Sequence, residues 1–295
     1  MKFIKGERVK RLDIPEWDIG QVLEESFEEK VRVFFVGVGE KHLKLSLANL
    51  TKVQGDEAHS SLLDNLTSVK SVKKGKVVQY RNLNELIINF KVYFPEGFYG
   101  DTYLQRERNH KEEAHNLIMN LLDKESFNSL LTSQSYNEIC KRAMQVVNKT
   151  NLVFPNEKMS LRDGLKSERH EEQFSEKLYY LLHGDDELKK RFNAFSDCLM
   201  DLKAAKWTTA TYFLFIMYPE QEMFLKPTVT QKAADICRFE LDYRPEPNWF
   251  TYHRLREFSQ YLLQELSELE PRDMIDVQSF IWSTARIEEG LYVKN

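Results

Sequence analysis

The segment that most constrains this chain is Lys206–Thr228, KWTTATYFLFIMYPEQEMFLKPT. From Thr209 to Tyr218 nearly every residue is apolar or aromatic, so a helix there is apolar all round and must be wrapped by others. It falls short of the roughly 20 residues that a membrane span needs, which assigns it to a core. Amphipathic segments lie on both sides of it. Ser167–His183 brings Phe174, Leu178, Leu181 and Leu182 to one face, and Leu188, Phe192, Phe195, Leu199 and Leu202 form the next stripe. Tyr252–Leu269 aligns Leu255, Phe258, Leu262, Leu263, Leu266 and Leu269 on one face, and Pro271 ends it. Helices are also predicted over Glu107–Asp123, over Tyr136–Asn148, from Thr228 (a capping box with Gln231) through Cys237, and from a capping Asp273 to Gly290. Arg81–Phe94 reads as helix or strand. Residues 80–295 are therefore expected to form an all-α domain of roughly seven helices.

The first 55 residues have a different period. Glu7–Arg11, Gly20–Glu25, Lys30–Val36 and Lys41–Leu47 alternate as strands do, and Glu28–Lys30 and Gly37–Glu40 read as hairpin turns. Four or five strands in so short a span make a small barrel, closed to avoid free edges. Val9, Val22, Val31, Val33, Phe35, Leu43 and Leu45 would fill it. Alternation puts Arg8 and Lys10 outward beside an inward Val9.

The run GERV, PEWDIGQV and KVRVFFVGVGEKHLKLSLANLTKV resembles the Tudor-like, SH3-fold tail of UvrD/PcrA-type helicases. It is similar, more distantly, to the RNA-polymerase-interaction domains of CarD-type regulators. The resemblance covers residues 3–54, carried by Gly6, Val9, Trp17, Gly20, Val22, the Val31–Phe35 strand, Gly39–Lys41, Leu43 and Leu50. Those domains usually carry glycine directly after the Trp17 position, where this chain has Asp18. The resemblance implies an SH3/Tudor-like barrel over 1–55 that docks on RNA polymerase or on helicase and repair machinery; the helicase motor itself is absent. Arg8, Lys10, Arg11, Trp17, Lys41 and His42 are the expected docking residues.

Between the two parts, residues 56–79 read as a basic linker with one weak helix near Leu62–Leu66. Lys70, Lys73, Lys74 and Lys76 make the densest basic run, able to contact phosphates, although a solvated linker is the simpler account. With Arg106 and Arg108, and with the aromatic loop Phe98–Tyr103, they define an alternative role: a nucleic-acid-binding or processing component of a restriction or anti-phage system. Overall charge gives that role no help, since 42 Lys+Arg face 46 Asp+Glu, formally −4.

Motifs for chemistry are sparse. Lys73-Lys74-Gly75-Lys76 lacks the P-loop's first glycine and its Ser/Thr, and His170-Glu171 starts an HExxH that ends on Phe174. Glu187-Leu188-Lys189 after Asp185 and Asp186 has nuclease letters but opens a helix, where carboxylates suit the dipole. Arg272, Asp276 and Trp282 are a candidate polar pocket, because Asp276 interrupts an apolar helix start. Cys140, Cys198 and Cys237 are widely spaced and read as buried thiols. No catalytic residue, metal or cofactor is expected, and the case for an enzyme is poor. MKFIKGERVKRLD has no apolar run behind its charges, so the expected location is the cytoplasm, with a protein partner and no membrane.

Overall fold

Five short strands open the chain: β1 (Arg8–Arg11), β2 (Ile19–Val22), β3 (Lys30–Phe35), β4 (Gly39–Lys44) and β5 (Leu50–Val53). They form an antiparallel, barrel-like sheet in the order β4-β3-β2-β1-β5. In this computed structural model residues 2–36, 38–64, 67–70, 78–81 and 83–288 are described. The chain divides into two units, Met1–Asn89 with Asp235–Phe239, and Phe90–Ala234 with Glu240–Asn295.

Inside the barrel, Phe3, Val9, Val22, Val31, Val33, Phe35 and Leu50 are buried, with Trp17, Leu43 and Leu45 packed partly buried against them. Gly20 stands opposite Phe35, and a Cβ there would come within 2.7 Å of the Phe35 and Val33 side chains. The β2–β3 hairpin closes on Glu28 and Glu29, both with positive φ (45° and 61°), which is the type I′ pattern usually given to Asn-Gly. Gly37 lies outside the described residues.

The expected linker is partly a strap on this barrel. After β5, a 3-10 turn (Gly55–Ala58) leads to α1 (Ser61–Asp64). Leu63 is buried with Ile19, Leu23 and Phe34 on the sheet's outer face, and Arg8 Nε donates to the Ala58 carbonyl at 3.2 Å. The weak helix expected near Leu62–Leu66 falls here, but so short an apolar run has no period to show which residue it buries or against what. β6 (Thr67–Lys70) and β7 (Val78–Arg81) then pair antiparallel, followed by α2 (Leu83–Tyr93).

The second unit is all-α. Beyond α2 come α3 (Asp101–Tyr103), a π-helical turn (Leu104–Arg108), α4 (Asn109–Leu121), α5 (Lys124–Thr132), α6 (Tyr136–Asn148) and α7 (Pro155–Gly164). Then follow α8 (Glu168–His183), α9 (Leu188–Asp201), α10 (Trp207–Met217), α11 (Pro227–Ile236), α12 (Trp249–Glu265) and α13 (Met274–Glu288). All eleven residues of α10 are buried, as its composition requires. Phe213 meets Phe174 of α8 and Phe195 of α9. Two of the polar groups on α10 are paired internally: Tyr212 donates to the Val146 carbonyl at 2.7 Å, and Thr211 to the Trp207 carbonyl at 2.7 Å. Among the described residues no helix is long and apolar enough to cross a membrane.

Two helices escape the periodicity. α5 follows directly on Asp123, whose carboxylate caps it by accepting from Glu125 and Ser126 N–H, and α7 starts at Pro155, a residue that fits a helix's first position as well as a turn. α11 begins on Pro227, so Thr228 lies inside the helix rather than at its cap.

Candidate functional site

Strand parity sorts the expected docking residues into two groups. Val9 points inward, and Arg11, two residues on, shares its side of β1; Lys41 faces Val33 across the β3–β4 ladder. Both reach Trp17, which sits on a short 3-10 turn (Pro15–Trp17) at the barrel mouth, half-buried, its ring edge-on to Phe35 at 5.2 Å. The Arg11 guanidinium lies 4.6 Å from the Trp17 ring centre and the Lys41 ammonium 5.8 Å. Arg11 is also forked onto Asp13, with Nη2 2.8 Å from Oδ2, and that carboxylate raises the guanidinium's pKa still further.

Arg8, Lys10 and His42 take the opposite parity and lie on the outer face. Arg8 is engaged by Gln21 and Asp64, Lys10 stands 3.6 Å from Glu57, and His42 stands 3.4 Å from Glu40. His42 borders an open groove of about 610 Å³ with Arg32, Lys44 and the exposed Phe27. Phe27 carried no signal in the sequence beyond being apolar in a charged turn.

The residue after Trp17 is the unusual one. Asp18 has φ 58° and ψ −159°, a region that is essentially reserved for glycine. The departure from the resembled pattern thus falls at a strained backbone position. Asp18 Oδ1 accepts from the Ile19 N–H at 2.7 Å, a local bond that helps hold the conformation.

Of the candidate nucleic-acid residues, Lys70, Arg106 and Arg108 fall among the described residues. Lys73, Lys74 and Lys76 lie outside the described residues, Lys70 ends β6, and Arg106 is exposed on the π-helical turn. Arg108 is the clear correction. The π turn places consecutive residues Glu107 and Arg108 inward, and the Arg108 side chain is only 6% exposed. Its guanidinium donates to Asp273 Oδ2 at 2.7 Å, to Asp276 Oδ1 at 2.8 Å and to Glu112 Oε1 at 2.6 Å, so it is buried against three carboxylates rather than presented to a phosphate.

Asp276 anchors that cluster and is fully buried. Its carboxylate accepts from Tyr103 Oη at 2.6 Å, from the Arg272 N–H at 2.9 Å and from Arg272 Nε at 2.9 Å, in addition to Arg108. Burial pushes its pKa up, but the hydrogen bonds of Arg272 and Tyr103 and the charge of Arg108 hold it below the usual range. Lys111, likewise buried, donates to Ser279 Oγ at 2.7 Å. Arg272 and Asp276 therefore meet as expected, but as a filled clamp between the π turn and α13 rather than as an open pocket. Trp282 stands apart from them, its ring facing Lys226 and Arg286.

The remaining motif residues have local partners. His170 Nδ1 lies 2.9 Å from the Gly164 carbonyl, Asp186 accepts from Tyr180 Oη at 2.7 Å, and Glu187 is the N-cap of α9. Cys140, Cys198 and Cys237 are buried thiols, and burial pushes the first two up to about 12. Among the described residues no three of His, Cys, Asp and Glu converge as a metal-binding group.

No protein-family model, curated protein or solved structure matches this chain.

Proposed function

We propose that the chain is a non-catalytic adaptor whose barrel docks through Trp17, Arg11 and Lys41 on RNA polymerase or another DNA-processing machine. The helical unit would carry a second interaction. The observation that supports this most is the half-exposed Trp17 with two cations over its ring, on a turn held by the strained Asp18. An aromatic platform with flanking cations suits an acidic, partly apolar segment of a protein partner. Because Asp13 neutralises Arg11, Lys41 supplies the uncompensated charge at the platform. Arg8, turned to Asp64, belongs to the barrel's own structure rather than to the docking face.

The test is capture of purified RNA polymerase, and separately of purified UvrD-type helicase, by the full chain after nuclease treatment. Trp17→Ala with Lys41→Glu should reduce capture at least about tenfold, as loss of an aromatic hot spot does, while the far-UV circular dichroism stays unchanged. Undiminished capture by the double variant would move the docking surface elsewhere, and no capture by the unaltered chain would remove both named partners.

A further inference from the structure

Lys226 is buried, 8% exposed, immediately before α11. Its ammonium lies 3.9 Å from the ring centre of Phe154 and 4.7 Å from that of Trp282. Among the described residues the only hydrogen-bond acceptor it meets is the Leu152 carbonyl, at 3.4 Å, longer than a strong charge-assisted bond. An ammonium has three donors, so most of its capacity is unused. The other buried lysine among the described residues, Lys111, shows the contrast: it has both the Ser279 hydroxyl at 2.7 Å and the Glu107 carboxylate at 3.5 Å.

A second cation faces the same tryptophan. The Arg286 guanidinium lies 5.2 Å from the Trp282 ring centre, without an ion pair among the described residues. Burial lowers the Lys226 pKa and Arg286 lowers it further, while the nearby Glu157 raises it. The Glu157 carboxylate is engaged in its own capping role, accepting from the Phe154 N–H at 2.9 Å. Two like charges thus share one aromatic ring, and among the described residues Glu157 is the carboxylate that offsets the charge on Lys226. An anion would relieve both the repulsion and the unmet donors.

The surrounding groups narrow the anion's class. Phe154 is 48% exposed, so much of its ring is open to a planar group. Two cations suit the several oxygens of a phosphate, and open aromatic faces suit a base.

We propose that Lys226, Arg286, Phe154 and Trp282 form a nucleotide-binding site, with the phosphate on the two cations and the base stacked on Phe154. The ligand is a nucleoside phosphate, either free or as a residue of a single strand. This site lies wholly in the helical unit and does not depend on the barrel's docking role.

The full chain would be titrated with dTMP, with inorganic phosphate and with a 3′-labelled decathymidylate, and polyglutamate would be added as a competitor. Lys226→Met keeps the stem and removes the charge, and should weaken nucleotide binding at least about tenfold, the loss typical of a hydrogen bond to a charged group. The same variant should resist urea at least as well as the parent, because a desolvated charge is gone. Arg286→Gln should weaken binding several-fold. Phe154→Leu should weaken dTMP and the oligonucleotide but leave inorganic phosphate unaffected. Comparable affinity for dTMP and the oligonucleotide would identify a free nucleotide as ligand, and a strong preference for the oligonucleotide a strand. No binding of either, binding indifferent to Lys226→Met, or equal displacement by polyglutamate would overturn the proposal.

Discussion

The barrel and the helical unit carry their unfavourable features in different places. In the helical unit they are buried charges: Glu107, Arg108, Lys111, Glu222, Lys226 and Asp276. Among the described side chains of the barrel and its strap no charged residue is buried. There the burden lies in the backbone, at Asp18, Glu28 and Glu29. Positive φ also occurs in the helical unit, at Gln134, Lys203 and Glu270 just after a helix or 3-10 turn, where left-handed geometry is ordinary, and at Asp242 in the irregular segment between α11 and α12. The difference follows from size. A core of seven side chains has no second layer of dipoles to surround a buried ion, whereas a layered helical unit can wrap Asp276 with two arginines and a tyrosine. A small module can still hold an unusual turn, provided that its strands pin both ends.

The sharpest way to break this comparison is at Asp276. Asp276→Ala leaves the Arg108 guanidinium short of a buried partner and should cost about 3–5 kcal/mol in urea unfolding of the full chain, read by far-UV circular dichroism. A loss below about 1 kcal/mol, the range of an exposed ion pair, would mean that the clamp is no costlier to break than a surface contact.

The barrel's counterpart runs in the opposite direction. Asp18→Gly removes a side chain from a glycine-type conformation and should stabilise the barrel by about 1 kcal/mol, the strain relieved less the added chain entropy. Hydrogen exchange of β2 and β3 would report it. If the variant also weakens partner capture, the strain at Asp18 serves to hold Trp17; if stability rises and capture is unchanged, it does not.

The smallest effect concerns pH. Burial and then the charge of Lys111 depress His110 to about 4, with Glu113 opposing. The unfolded imidazole titrates near 6.5, so the unfolded chain takes up the proton first as pH falls. This contribution to stability is complete above about pH 6.5 and is lost progressively toward pH 4. His110→Gln should flatten the stability profile in that window, and an unchanged slope would assign the acid sensitivity to other groups.

Much of the fold was legible because it rests on period. Alternating residues in β1 to β4 and the four-and-three stripes of α8, α9 and α12 state their buried faces directly, and α10 declares itself by having no polar face. The helix starts that follow a cap or a proline too closely, α5 and α7, did not stand out from the turns around them. The sites were less legible, since they depend on contacts between distant segments. Arg106 and Arg108 look alike as letters on a charged helix; the π turn decides that the second goes inward. Lys226 was invisible among apolar neighbours, because its burial depends on Phe154 and Trp282. Trp17 was singled out through the resemblance over residues 3–54, and the structure places it half-buried at the barrel mouth beside Arg11 and Lys41.

The position of α10 along the chain bears on how the protein is made. Translation delivers α4 to α9 before Trp207 appears, and Phe174 of α8 and Phe195 of α9 have their shared partner, Phe213, only after that. While a nascent chain lacks this helix, several apolar stripes are exposed together, the condition in which intermediates associate or recruit chaperones. The barrel strands are complete by Val53 and can close while the rest is still being synthesised. A ribosome pausing between the two therefore holds one finished module and one that is waiting for its centre.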